Sequence, residues 1–166
     1  MKKTMIIAFL SFTAFSVFAS DITPQDKANL NSLKIVIDVS RSSIENLTAE
    51  TNERLESYES LGSLSLVGRH QMKKENCANI NSSLAANLAM ISASLEQSKE
   101  SLAKLEFSDS ELKDFTTGFR ALIFKSSEAI DGCKNIKKSA EALESARIGI
   151  EKVDIILQKL VPSLID

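Results

Sequence analysis

The sequence predicts an all-α protein, an antiparallel up-and-down helical bundle of four helices, or of three with one long helix. Three observations carry this. No proline interrupts the chain between Pro24 and Pro162, and Leu, Ala, Ser, Glu and Lys dominate that stretch, a helical composition. Apolar residues recur three and four positions apart in successive segments, the period of a helix that buries one face. Runs of Val, Ile and Thr alternating with polar residues, which would mark strands, are missing.

Thr23-Pro24 opens the first helix, with an oxygen-bearing N-cap before a proline at the first helical position. Leu30, Leu33, Ile37, Ile44, Leu47, Leu55 and Tyr58 then share one face, with Ser40 and Thr51 in the gaps. The helix is expected to end near Glu59. The stretch Ser60 to Gly68 has two glycines and no helical period, so it reads as a loop. A second stripe, Cys77, Ile80, Leu84, Leu88, Ile91, Leu95, Ser98, Leu102 and Leu105, predicts a helix over about 70 to 106. Ser108 and Glu111 have capping-box spacing and signal a third start. Leu112, Phe115, Phe119, Leu122, Ser126, Ala129 and Cys133 form its stripe. Asp131-Gly132 suggests a turn, Asn135 a cap, and Leu143, Ala146, Ile150, Val153, Leu157 and Leu160 a fourth apolar face. One glycine costs a helix only about 1 kcal/mol against alanine. The third and fourth helices therefore remain open to being one long rod.

Residues 1–19 set the expected compartment. Lys2 and Lys3, an apolar run from Met5 to Phe15 and Val17-Phe18-Ala19 make a secretory signal peptide with cleavage after Ala19. Residues 20–166 are then the helical bundle domain, and loss of the two lysines takes the net charge from −2 to −4. This acidic balance argues against nucleic acid and anionic membranes as partners. No membrane span is expected after cleavage, and the location is expected to be periplasmic or secreted.

Two cysteines in an exported chain make a Cys77–Cys133 disulfide the default. An intermolecular bridge and two buried free thiols remain open; a redox pair is disfavoured because there is no Cys-x-x-Cys. If the second helix turns at 107–108, Cys133 stands level with about residue 82, roughly 7 Å from Cys77 along the axis. A bend at Asp131-Gly132 would have to close that gap.

Catalytic chemistry is not legible. His70 is the lone histidine and reads as a solvated helix-start residue. Zinc, covalent haem, triad and carboxylate di-iron sites all need partners that are missing. No metal and no cofactor is expected. Glu45, Glu50, Glu53, Glu56 and Glu59 read as a solvated face. Lys134, Lys137 and Lys138 have no interleaved aromatics of the kind a nucleic-acid surface uses. Two features are left as sites. Phe107, Phe115, Phe119 and Phe124 make either the thick part of the core or an apolar pocket between helices. Leu61, Leu64, Leu66 and Val67 make either a lid over the bundle end or an exposed docking loop.

Glu111-Leu112-Lys113-Asp114-Phe115, followed by Gly118-Phe119, Leu122 and Ala129, resembles the start of the third helix in the periplasmic four-helix b-type cytochromes. The resemblance covers about twenty residues and implies the bundle scaffold. That family holds haem between a methionine near the mature N-terminus and a histidine in the last helix. Here Ser20 to Gln71 contains no methionine and nothing after His70 is a histidine, so the resemblance does not extend to haem. The expectation is an exported, non-catalytic bundle that acts on an unknown protein partner. The alternative is a carrier of a small apolar ligand.

Overall fold

The computed structural model describes residues 21–61 and 65–161. The signal-peptide reading and Pro162 lie outside them. Four helices follow in order, α1 Pro24–Ser60, α2 Leu66–Leu102, α3 Asp109–Asp131 and α4 Ile136–Leu160. The open choice between three helices and four is thereby settled. Gly132 closes α3, and the Asn135 side chain accepts from the Lys138 N–H to start α4.

The starts are built as their residues require. Thr23 and Asp26 form a reciprocal capping box on α1, as do Ser108 and Glu111 on α3, satisfying amide groups that the first turn leaves unpaired. The ends of α2 differ from expectation. It begins at Leu66 and finishes at Leu102, about four residues earlier than the stripe suggests at each end. Ala103 to Leu105 continue as a tight turn in which Lys104 and Leu105 N–H groups reach back three residues. This shift removes the height problem. Reflected about the middle of the 103–108 connection, residue 77 stands level with 134, and no bend is needed. Cys77 and Cys133 are disulfide-bonded with Cα atoms 4.8 Å apart, inside the usual window.

The core runs the length of α3 and α4, with Leu30, Leu33, Ile37, Ile44, Ile80, Leu84, Ile91, Leu122, Leu143, Ile150 and Leu157 fully buried or nearly so. Its seams are unequal. α3 and α4 pack most closely, α1 lies against both α2 and α4, and α2 and α3 scarcely approach. The close seam has a cause in sequence. Gly118 and Gly149 face each other, and a Cβ on either would come within 2.7 Å of the other's carbonyl oxygen. The loose seam is bound at its two ends, by the 103–108 connection and by the disulfide.

Three expectations need correction. Leu55 and Tyr58 share the face of α1 but are only half-buried. Asn87, not Leu88, takes the buried position on α2, where its amide donates to Ser43 Oγ at 2.9 Å. Phe124 does not join the other phenylalanines. It is 46% exposed, because five residues beyond Phe119 lie about 140° around a helix.

Candidate functional site

α1 and α2 are each 37 residues long, against 23 for α3 and 25 for α4. The excess of α2 over α3 lies at one end. Cys77 is level with the turn between α3 and α4, so residues 66–75 of α2 project about 15 Å beyond it, together with the last turns of α1. No described residue between Asn52 and Glu75 is buried, whereas Thr51 and Asn76 on either side are. The chain thus forms a four-helix body carrying a two-helix overhang. Leu55 and Tyr58 lie on this overhang and are half-buried.

The base of the overhang is pinned. Asn76 is fully buried; its amide donates to the Cys133 carbonyl at 2.8 Å and to Ser139 Oγ at 3.0 Å. Its Oδ1 accepts from the Arg54 guanidinium at 3.3 Å. One side chain beside the disulfide therefore joins α1, α2, the α3–α4 turn and α4. Above this base the contacts described are polar and half-buried. The Arg69 guanidinium and the Lys73 ammonium lie 5.0 Å and 5.3 Å from the centre of the Tyr58 ring, cation–π contacts worth about 0.5–1 kcal/mol each at exposed sites. Arg69 also donates to the Leu61 carbonyl at the end of α1. The α1 arm carries Glu53, Glu56 and Glu59, the α2 arm Arg69, Lys73 and Lys74.

At the tip, Leu66 and Val67 are 75% and 85% exposed. They sit in the first turn of α2 and not in a loop. Neither is folded down as a lid. Leu61 caps α1 and is half-buried. Leu64 lies outside the described residues. The expected docking group is thus reduced to two apolar side chains on a helix start, raised above the body.

The phenylalanines resolve differently. Phe115 and Phe119 are buried, with ring centres 4.9 Å apart, and Phe107 packs on Phe115 at 5.3 Å. Phe115 and Phe119 are core residues, and Phe107 packs against the core half-buried. Among the described residues, no group of three His, Cys, Asp or Glu side chains could hold a metal ion. No described helix is long and apolar enough to cross a membrane.

The opposite end is held by ionised groups. Asp26 accepts from Lys104 at 2.7 Å and from Ser101 at 2.8 Å in addition to its capping contacts. Lys104, then Thr23, hold its carboxyl far below the usual carboxylate range, against the cost of burial. Lys159 and the Ser108 hydroxyl bring Glu111 down to about 2. Between α1 and α4, Asp154 is buried and its Oδ2 lies 3.0 Å from Arg41 Nε, a close ion pair that is not aligned as a hydrogen bond. Gln158 donates to the same oxygen at 2.9 Å.

No family model matches the chain, and no curated protein or solved structure does either.

Proposed function

We propose that this is an exported, non-catalytic protein that acts by protein–protein contact through the overhang. It serves as an inhibitor or immunity protein, a chaperone-like binder or an accessory subunit of an envelope assembly. The observation that supports this best is the exposure of Leu66 and Val67 at the tip of a helical projection. Apolar side chains raised from a body cost solvation and add nothing to its core, and binding is the use that returns that cost. The compartment rests on the signal-peptide pattern, with which a disulfide is compatible. We read the resemblance to the four-helix cytochromes as one of scaffold and not of haem.

Placing a photoreactive residue at position 67 in producing cells tests the reading. One defined adduct is expected, lost when Leu66 is replaced by Asp. The same probe at position 117, an exposed threonine on α3, should give no adduct. Equal labelling from both positions would contradict the proposal. The second reading, a carrier of a small apolar ligand, draws on the slack α2–α3 seam. Native mass spectrometry of gently purified protein distinguishes it, since a carrier would retain a stoichiometric lipid-like mass.

A further inference from the structure

Two stretches of the chain are basic and free of acid. Leu61 to Lys74 holds Arg69, His70, Lys73 and Lys74, and Gly132 to Ala140 holds Lys134, Lys137 and Lys138. They are far apart in sequence, and the Cys77–Cys133 bond, which links residues 56 apart, brings them together. Lys74 stands one turn above Cys77 on α2, and Lys134 follows Cys133 directly. Leu66, His70, Lys73 and Lys74 have the helical spacings that place them on the Cys77 side of α2, which the bond turns toward the α3–α4 connection. The result is a step. That side of α2 is the riser, about 15 Å high, and residues 132–138 are the tread. His70, Lys74, Lys134, Lys137 and Lys138 are exposed, and none of them joins an ion pair among the described residues. Acids border the step. Glu75 lies about 160° around α2 from Cys77, Asp131 ends α3, and Glu59 stands near the end of α1.

We propose that this step is the seat of an acidic segment of the protein partner. The inference rests on the reading that the overhang is the contact region, and it supplies the chemistry of what docks there. Charge selects the occupant. Lys74, Lys134, Lys137 and Lys138 are exposed cations without acid partners, and complementary carboxylates would steer encounter and fix register. Size agrees. An α-helix with its side chains is about 10–12 Å across, which fits beneath a riser of about 15 Å and leaves Leu66 and Val67 above it for apolar contact. A flat anionic membrane does not fit. Resting on the tip, it would stay about 15 Å from Lys134, beyond the screening length of about 8 Å at physiological salt. A long nucleic acid would run past the step and meet the net negative charge of the chain. A short acidic segment meets only the lysines.

Titrating a short oligoglutamate into the purified, disulfide-bonded, isotope-labelled protein tests it by amide chemical shifts. Shifts are expected at His70, Lys74 and residues 134–138, and not at the closed end. Raising the salt about tenfold should weaken the binding about tenfold or more. Lys74→Glu with Lys134→Glu should do the same, with the helical circular dichroism unchanged because both sites are exposed. Lys113→Glu with Arg120→Glu, an equal change of charge at exposed sites on α3, should leave the binding nearly unaltered. No localised shift, or an equal loss in both variants, overturns the proposal. So does tighter binding of duplex DNA or of phosphatidylglycerol vesicles at the same amides, which would assign the step to a nucleic acid or a lipid surface. In producing cells, the photoadduct from position 67 should fall about tenfold in the Lys74→Glu, Lys134→Glu variant. An undiminished adduct overturns the acidic seat and leaves the overhang reading standing. Absence of any adduct from the parent chain defeats the overhang reading, and this inference with it.

Discussion

The two ends of the bundle follow opposite electrostatic rules. At the closed end, Asp26 lies in the first turn of α1, Asp109 and Glu111 in the first turn of α3, Lys99 in the last turn of α2 and Lys159 in the last turn of α4. Each charge complements the partial charge of its helix terminus. At the overhang end none of the four termini has such a charge. The last turns of α1 and α3 hold no base, and the first turns of α2 and α4 hold no acid. Glu59, Arg69, Asp131 and Lys137 stand there instead, each opposing its helix dipole. The contrast separates what stabilises the fold from what is kept at its expense. Local choices that agree with the global structure mark the first; local conflict is expected where a surface serves binding.

The contrast can be tested most heavily at the disulfide, the joint between body and overhang. It links residues 56 apart in sequence. Replacing Cys77 and Cys133 by Ser should cost about 4 kcal/mol and lower the melting temperature by roughly 10 °C. The far-UV helical signal at low temperature should survive, since the apolar faces hold the helices. An unchanged melting temperature would mean that Asn76 and the core fix the joint without the bond.

At the closed end, Asp26→Asn should cost about 2 kcal/mol, because it weakens charged hydrogen bonds and leaves the half-buried Lys104 unpaired. pH should act on the same groups. The folded chain keeps Asp26 and Glu111 ionised at pH values where an unfolded chain would protonate them. The stability they give is therefore complete above the ordinary values of 3.8 and 4.5 and is lost as pH falls below them toward the lowered ones. Acid melts of Asp26→Asn should show a weaker pH dependence than the parent below about pH 4. An identical dependence would remove Asp26 from the account.

Much of this fold is legible in the sequence, and the parts that are not share a cause. Thr23, Ser108 and Asn135 announce three helix starts because a cap is a local interaction. The break at Asp131-Gly132 is likewise local, and the stripe from Ile80 to Leu102 identifies α2. The N-terminal end of α2 is missed because Ser65 makes no side-chain capping bond, and Leu66, Val67 and Gly68 carry no period. Phe124 is misplaced by chemistry alone; its position on the wheel already points it away from Phe119. The overhang is not legible from the apolar pattern. Leu55 and Tyr58 continue the stripe of α1, and only the structure shows that full burial stops at Thr51.

Smaller effects sharpen the comparison. Lys137 is exposed in the first turn of α4, so Lys137→Glu should stabilise the protein by about 0.5 kcal/mol at low salt. A loss would mean that the lysine has a structural use at the overhang end. Smallest of all should be the tip. Leu66→Asp with Val67→Asp should change stability by less than about 0.5 kcal/mol, since both side chains are already in water. A fall of several degrees in the melting temperature would show that they pack in solution as a lid.

Hydrogen exchange by amide position tests most directly the claim that a stable body carries an independently exposed overhang. Amides of residues 53–60 and 70–75 should exchange through local opening at least about a hundredfold faster than those of 80–98 and 140–157, which open only with the whole domain. Protection that is uniform from Asn52 through Leu95 would contradict the division and make the overhang part of the body.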